Sequence, residues 1–141
     1  MKAIHTTLLC LFVLISVSAA TTLAGPESAT SDNLVVVWTS DDRDVAERMV
    51  FMYSNAAKNN GWWGRVRLVV WGPSSKLLAE DKGLQDYLKK MQTAGVEVQA
   101  CIVCADMYGV TDKLRSLDIE VKGMGKPLTD MLKNGWTCLT F

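Results

Sequence analysis

The chain has 141 residues, 49% of them apolar, with 15 basic and 15 acidic residues and a single histidine. This length suits one domain. The balanced, dispersed charge forms no Lys/Arg stripe able to neutralise a phosphate backbone, which argues against nucleic acid as a partner.

The first residues read as a targeting segment. Met1-Lys2 is a weak positive start, Leu8–Ala20 is an apolar run broken only by Ser16 and Ser18, and small residues follow. This is the layout of a secretory signal peptide over 1–24, cleaved near Ala20 or Ala24. The run is shorter than the roughly 20 residues a spanning helix needs, so no membrane association is expected after cleavage. The expected location is therefore exported and periplasmic. Cys10 and the only histidine, His5, leave with this segment. A chain without histidine builds neither a Ser-His-Asp nor a Cys-His pair, and no His-containing zinc site. Cys101, Cys104 and Cys138 remain, one short of a four-Cys zinc site. An odd count also leaves at least one thiol free. No metal and no cofactor are expected.

Residues 25–33 form a polar leader, and the domain spans 34–141. Leu34–Trp38 is a continuous, β-branched-rich run that suits a strand buried on both faces. Thr39-Ser40-Asp41-Asp42 offers helix caps, and apolar residues from Val45 to Ala57 recur at helical spacing until Asn59-Asn60-Gly61. Val66–Trp71 is the second strand. Ser74 or Ser75 caps a short helix, Gly83 interrupts it, and Leu84–Ala94 forms a longer one. Val96–Ile102 is the third strand, followed by a short helix over Cys104–Tyr108 and another that Thr111 caps. Ile119–Val121 is a short strand, a helix follows Lys126-Pro127, and Trp136–Phe141 is the last strand. Strands alternating with helices, without hairpin signals, predict a three-layer α/β/α fold on an open, mainly parallel five-stranded sheet.

Ligands of such sheets collect at the carboxyl ends of strands, near the topological switch point. Three ends carry polar or reactive groups: Trp38 to Asp42, Trp71-Gly72-Pro73-Ser74-Ser75, and Cys101 to Asp106. A helix starting near Cys104 would turn N–H groups towards that end and lower the pKa of a cysteine there. Alternatively, the cysteines fill space in the core, and Cys138, in the last apolar strand, reads as a packing residue. Trp38 and Trp71 either wall a pocket or pack the core. Asp42 is a helix cap or a pocket residue. Trp62-Trp63, in a Gly-flanked turn, suggests an interface. Asp106 and Tyr108 gain interest from their closeness to the cysteines.

The stretch from Val98 through Cys101, Cys104, Ala105 and Asp106 to Gly109-Val110 resembles the DsrE/DsrF-like family, which includes the DsrE/TusD sulfur-relay proteins. So do Trp71-Gly72-Pro73-Ser74, Gly123 to Thr129, and Gly135 to Phe141. The resemblance runs from about Leu34 to Phe141. It implies a five-stranded parallel α/β/α domain that assembles as a homo-oligomer, a trimer or hexamer. In relay members one cysteine after the third strand carries a persulfide; by its distance from Gly109-Val110 it falls on Cys101. Cys104 places the chain in a Cys-x-x-Cys branch. The resemblance implies a periplasmic sulfur carrier or sulfurtransferase-like relay, with Cys101 holding the sulfur, Cys104 assisting, and a sulfur donor or acceptor as partner. The alternatives are a non-catalytic oligomeric binding module with buried cysteines and a thiol–disulfide oxidoreductase.

Overall fold

The computed structural model describes residues 32–141. The expected signal peptide over 1–24 and most of the expected leader lie outside the described residues. Asn33, counted with the leader above, is already the first residue of a strand. Five strands form one all-parallel sheet: β1 (Asn33–Trp38), β2 (Arg65–Val70), β3 (Glu97–Cys101), β4 (Glu120–Lys122) and β5 (Thr137–Thr140), in the order β4-β3-β2-β1-β5. The predicted fold class is what the structure shows.

Right-handed crossovers dictate the layering. From β1 to β4 the chain steps across the sheet in one direction, so every connecting helix falls on one face. These are α1 (Arg43–Val45), a π-helical turn (Ala46–Phe51), α2 (Met52–Asn59), α3 (Ser74–Glu80), α4 (Lys82–Thr93), α5 (Ile102–Met107) and α6 (Thr111–Arg115). Return to β5, beyond β1, sends α7 (Gly125–Lys133) over the opposite face. The strands alternate accordingly. Leu34, Val36, Trp38, Leu68, Val70 and Ala100 enter the larger core, whereas Val35, Val37, Val69 and Cys101 pack beneath α7 with Met124 and Met131.

Several boundaries differ from expectation for identifiable reasons. The first helix widens into a π turn, with Met52 N–H donating to Glu47 C=O five residues back. Ala46, Val50 and Phe51 are its buried residues, and their spacing of four and five matches that wider turn. The α3–α4 break falls at Asp81, not Gly83. The Asp81 carboxylate accepts from Leu84 N–H at 2.9 Å and caps α4. Neither Ser74 nor Ser75 caps α3. The Ser74 hydroxyl instead lies 2.6 Å from Trp38 C=O and accepts from Trp71 N–H at 3.1 Å, tying the ends of β1 and β2 together. Thr111 is inside α6, with its hydroxyl donating to Asp106. Strand β3 ends at Cys101, the last extended residue (φ −74°, ψ 115°), so α5 begins two residues earlier than expected.

Ser74→Ala removes a buried acceptor and donor at once. Its expected cost is about 1–3 kcal/mol in equilibrium unfolding. A loss below a few tenths would show that Trp71 N–H needs only its 2.9 Å bond to Trp38 C=O.

Candidate functional site

The structure brings Cys101 and Cys104 together. Alternation along β3 turns Ala100 towards the larger core and Cys101 towards the α7 face. There Cys101 is 5% exposed and clusters with Val35, Val37, Val69, Met124 and Met131. Cys104 sits in the first turn of α5, partly exposed, packed against the same cluster with Trp71 and Leu128. The two thiols are free and close enough for Cys101 to influence the ionisation of Cys104. The Gly72 N–H lies near the Cys104 sulfur and favours its anionic form. Gly72 has φ +71°, a left-handed conformation that glycine adopts without a Cβ penalty, and this turn aims its N–H across from β2 to α5.

The expected lowering of pKa at the helix start does not hold for Cys104. Burial pushes its thiol up; the Gly72 N–H works in the other direction, and the shared hydrogen bond with Cys101 adds to the rise. Helix α5 has only six residues, and Cys104 lies within its first turn rather than ahead of it. Desolvation therefore outweighs the single N–H.

The other predicted residues separate. Trp38 is fully buried and meets Phe51 edge-on at 5.2 Å, so it belongs to the core rather than to a pocket wall. Asp42 is the N-cap of α1, accepting from Asp44 N–H at 2.8 Å and Val45 N–H at 3.0 Å. Asp106 is exposed and accepts from Thr111. Tyr108 lines a cleft of about 350 Å³ with Asp41, Pro73, Lys76, Leu77 and Glu80, beyond the carboxyl ends of β1, β2 and β3. Trp62 is exposed while Trp63 is half-buried, its indole N–H pointing to Tyr53 Oη. Cys138 is not a packing residue: β5 is an edge strand, and the thiol is exposed, 3.8 Å from Thr140 Oγ1. The switch point between β1 and β5 is stitched shut. Phe141 C=O accepts from Thr39 N–H and Oγ1, both at 2.7 Å, and Phe141 N–H donates to Val37 C=O. The paired thiols lie instead at the end of β3.

Sequence reasoning missed Met124, which belongs to the same buried cluster as Cys101, and the Lys76 and Glu80 of the cleft. No local pattern marks Met124; it lies two residues after β4, and the pairing of β4 with β3 brings it into the Cys101 cluster. Also unforeseen is a charged strip on the α7 face. Arg65 and Arg67 both pair with Glu97 and both lie over the Trp136 ring, at 5.2 and 5.0 Å. Gln99 donates to Glu120 at 2.6 Å, and Lys122 pairs with Glu120 at 2.8 Å. Burial pushes the Glu97 carboxyl up, but the Arg67 and Arg65 hydrogen bonds carry it below its ordinary 4.5. A lowered folded pKa contributes stability that is present above the unfolded value and lost as pH falls through the folded one. Glu97→Gln should accordingly flatten acid unfolding below about pH 4.5. An unchanged acid limb in the variant's pH–stability curve would show that the pair contributes nothing.

Among the described residues, no group of three or more His, Cys, Asp or Glu side chains is placed to hold a metal, and no helix is long and apolar enough to cross a membrane.

A parallel three-layer sheet with a dithiol at the end of its third strand defines the class to which this chain is to be compared. Residues 32–141 match the DsrE/DsrF-like family, and the chain belongs to it. Among solved structures, it is similar to a conserved protein of unknown function, BT1422, from Bacteroides thetaiotaomicron. The two share 38% identity with a TM-score of 0.75, over 78% of this chain and 95% of that one. No curated protein matches.

Proposed function

We propose that the protein is a periplasmic carrier of sulfane sulfur that works through the Cys101–Cys104 pair. The observation that carries this reading is the meeting of two free thiols at one strand end, one buried and one partly exposed. Such a pair can hold a sulfane sulfur as a persulfide, or release it as sulfide by closing a disulfide. Membership of the DsrE/DsrF-like family, which contains sulfur-relay proteins, supports the same chemistry. The apolar run over Leu8–Ala20 supports export. The donor and acceptor would be small sulfur species or a partner protein.

Assembly into a homo-oligomer, a trimer or hexamer, is part of the proposal. Parallel sheets are ordinarily covered on both faces, yet α7 alone crosses the second face. Glu97, Gln99, Glu120 and Lys122 form a self-complementary polar strip there, and the Gln99 side-chain oxygen is buried without a partner. Light scattering on the purified protein checks this directly: a monomer at micromolar concentration would remove it.

Incubating the reduced protein with inorganic polysulfide and measuring its intact mass tests the sulfur chemistry. The expected product carries one additional sulfur, or has lost two hydrogens to a disulfide. Neither change in the wild type, or the same changes in Cys101→Ala/Cys104→Ala, would sink the reading. The binding-module alternative predicts slow, incomplete alkylation of both thiols. A thiol–disulfide oxidoreductase would instead exchange electrons with dithiols without ever taking up sulfur.

A further inference from the structure

We infer that Cys104 is the thiol that receives sulfur from the donor, and that Cys101 is the one that resolves it. This rests on the sulfur chemistry proposed above and reverses the assignment that the family resemblance implies. Three observations carry it. Cys101 is 5% exposed and shares its cluster with the fully buried Met124, so little of it is open to a donor. An additional sulfur atom there would overpack a filled core. Cys104 has open surface on one side and the Cys101 thiol on the other. Lastly, the Gly72 N–H lies near the Cys104 sulfur and favours its anionic form as the thiolate develops.

The donor is of the persulfide class, R–S–SH. The Cys104 thiolate attacks the terminal sulfur and forms a new S–S bond. The donor's S–S bond breaks, and its electron pair leaves on R–S⁻, so Cys104 now carries –S–SH. R–S⁻ takes up the proton that Cys104 had released to water, and Cys101, losing its own proton to water, attacks the adjacent Cys104 Sγ. A Cys101–Cys104 disulfide forms, and the terminal sulfur departs as HS⁻. The protein loses two electrons, and the sulfane sulfur gains them. A dithiol reductant returns the pair to its starting state.

The test uses Cys138→Ser as the parent, which removes the exposed thiol outside the pair. Brief native alkylation with iodoacetamide, read by fragmenting the Met91–Lys113 tryptic peptide, should label Cys104 before Cys101 by about tenfold or more. This arm needs no substitution within the pair, so it stands even if a variant misfolds. After exposure to inorganic polysulfide, Cys101→Ala should retain one added sulfur on Cys104, because nothing resolves it, and Cys104→Ala should gain none. Labelling of Cys101 first or equally, or loading of Cys104→Ala as fast as the parent, overturns the inference. If no protein takes up sulfur, the proposed function falls, and the order of alkylation still decides which thiol a reagent meets first.

Discussion

Phe51→Ala is expected to cost about 3–5 kcal/mol of folding free energy, the upper range for truncating a buried aromatic. Phe51 is fully buried and closes the π turn. Its ring meets Trp38 at 5.2 Å and 79°, and Tyr87 at 5.5 Å and 88°, both edge to face. It therefore links β1, the first helix and α4 in one aromatic stack. Truncation removes its apolar transfer contribution, both ring contacts and the filling between them; the turn is anchored by Ala46 and Val50 as well, which limits collapse into the cavity. Urea denaturation with an unchanged slope and a lowered midpoint is the expected readout. A loss below about 1 kcal/mol would mean that the π turn relaxes to fill the space.

The second large effect is kinetic. The Cys104 thiol is pushed above its ordinary 9.0, chiefly by burial, so it is almost wholly protonated near neutrality. Only the thiolate reacts, and its fraction grows about tenfold per pH unit below the pKa. Alkylation of Cys104 should thus accelerate about a hundredfold between about pH 7 and 9, without levelling off in that range. A plateau below pH 8 would contradict the balance in which desolvation outweighs the Gly72 N–H. The raised value has a chemical counterpart: a thiolate of higher pKa is the stronger nucleophile once formed.

Alternation of β-branched runs with helical spacings was enough to specify the parallel α/β/α class, because buried parallel strands read as continuous apolar segments. Cys101 and Cys104 also stood out in the sequence, three residues apart at a strand end. Their unequal exposure did not. It follows from the parity of β3, which turns Cys101 inward, and from the pairing of β4 with β3, which brings Met124 into the same cluster. Cys138 misled for a related reason. Leu139 and Trp136 make its strand look apolar, but β5 is an edge, and its register opposite Val35 leaves the thiol uncovered. The charged strip was equally hidden. Arg67, Glu97, Gln99 and Glu120 belong to three different strands and become neighbours only through the parallel register. Capping was misread where a tertiary partner competed, as when the Ser74 hydroxyl turned to Trp38 C=O instead of the α3 terminus.

The most direct measurement of the central claim is the site of modification after polysulfide treatment of the unsubstituted, reduced protein. Trypsin places Cys101 and Cys104 together in Met91–Lys113 and isolates Cys138 in Asn134–Phe141. The pair should carry the change, seen as one added sulfur or as an internal disulfide confined to Met91–Lys113. Modification found only on Asn134–Phe141, or on neither peptide, would contradict a sulfur site at Cys101 and Cys104.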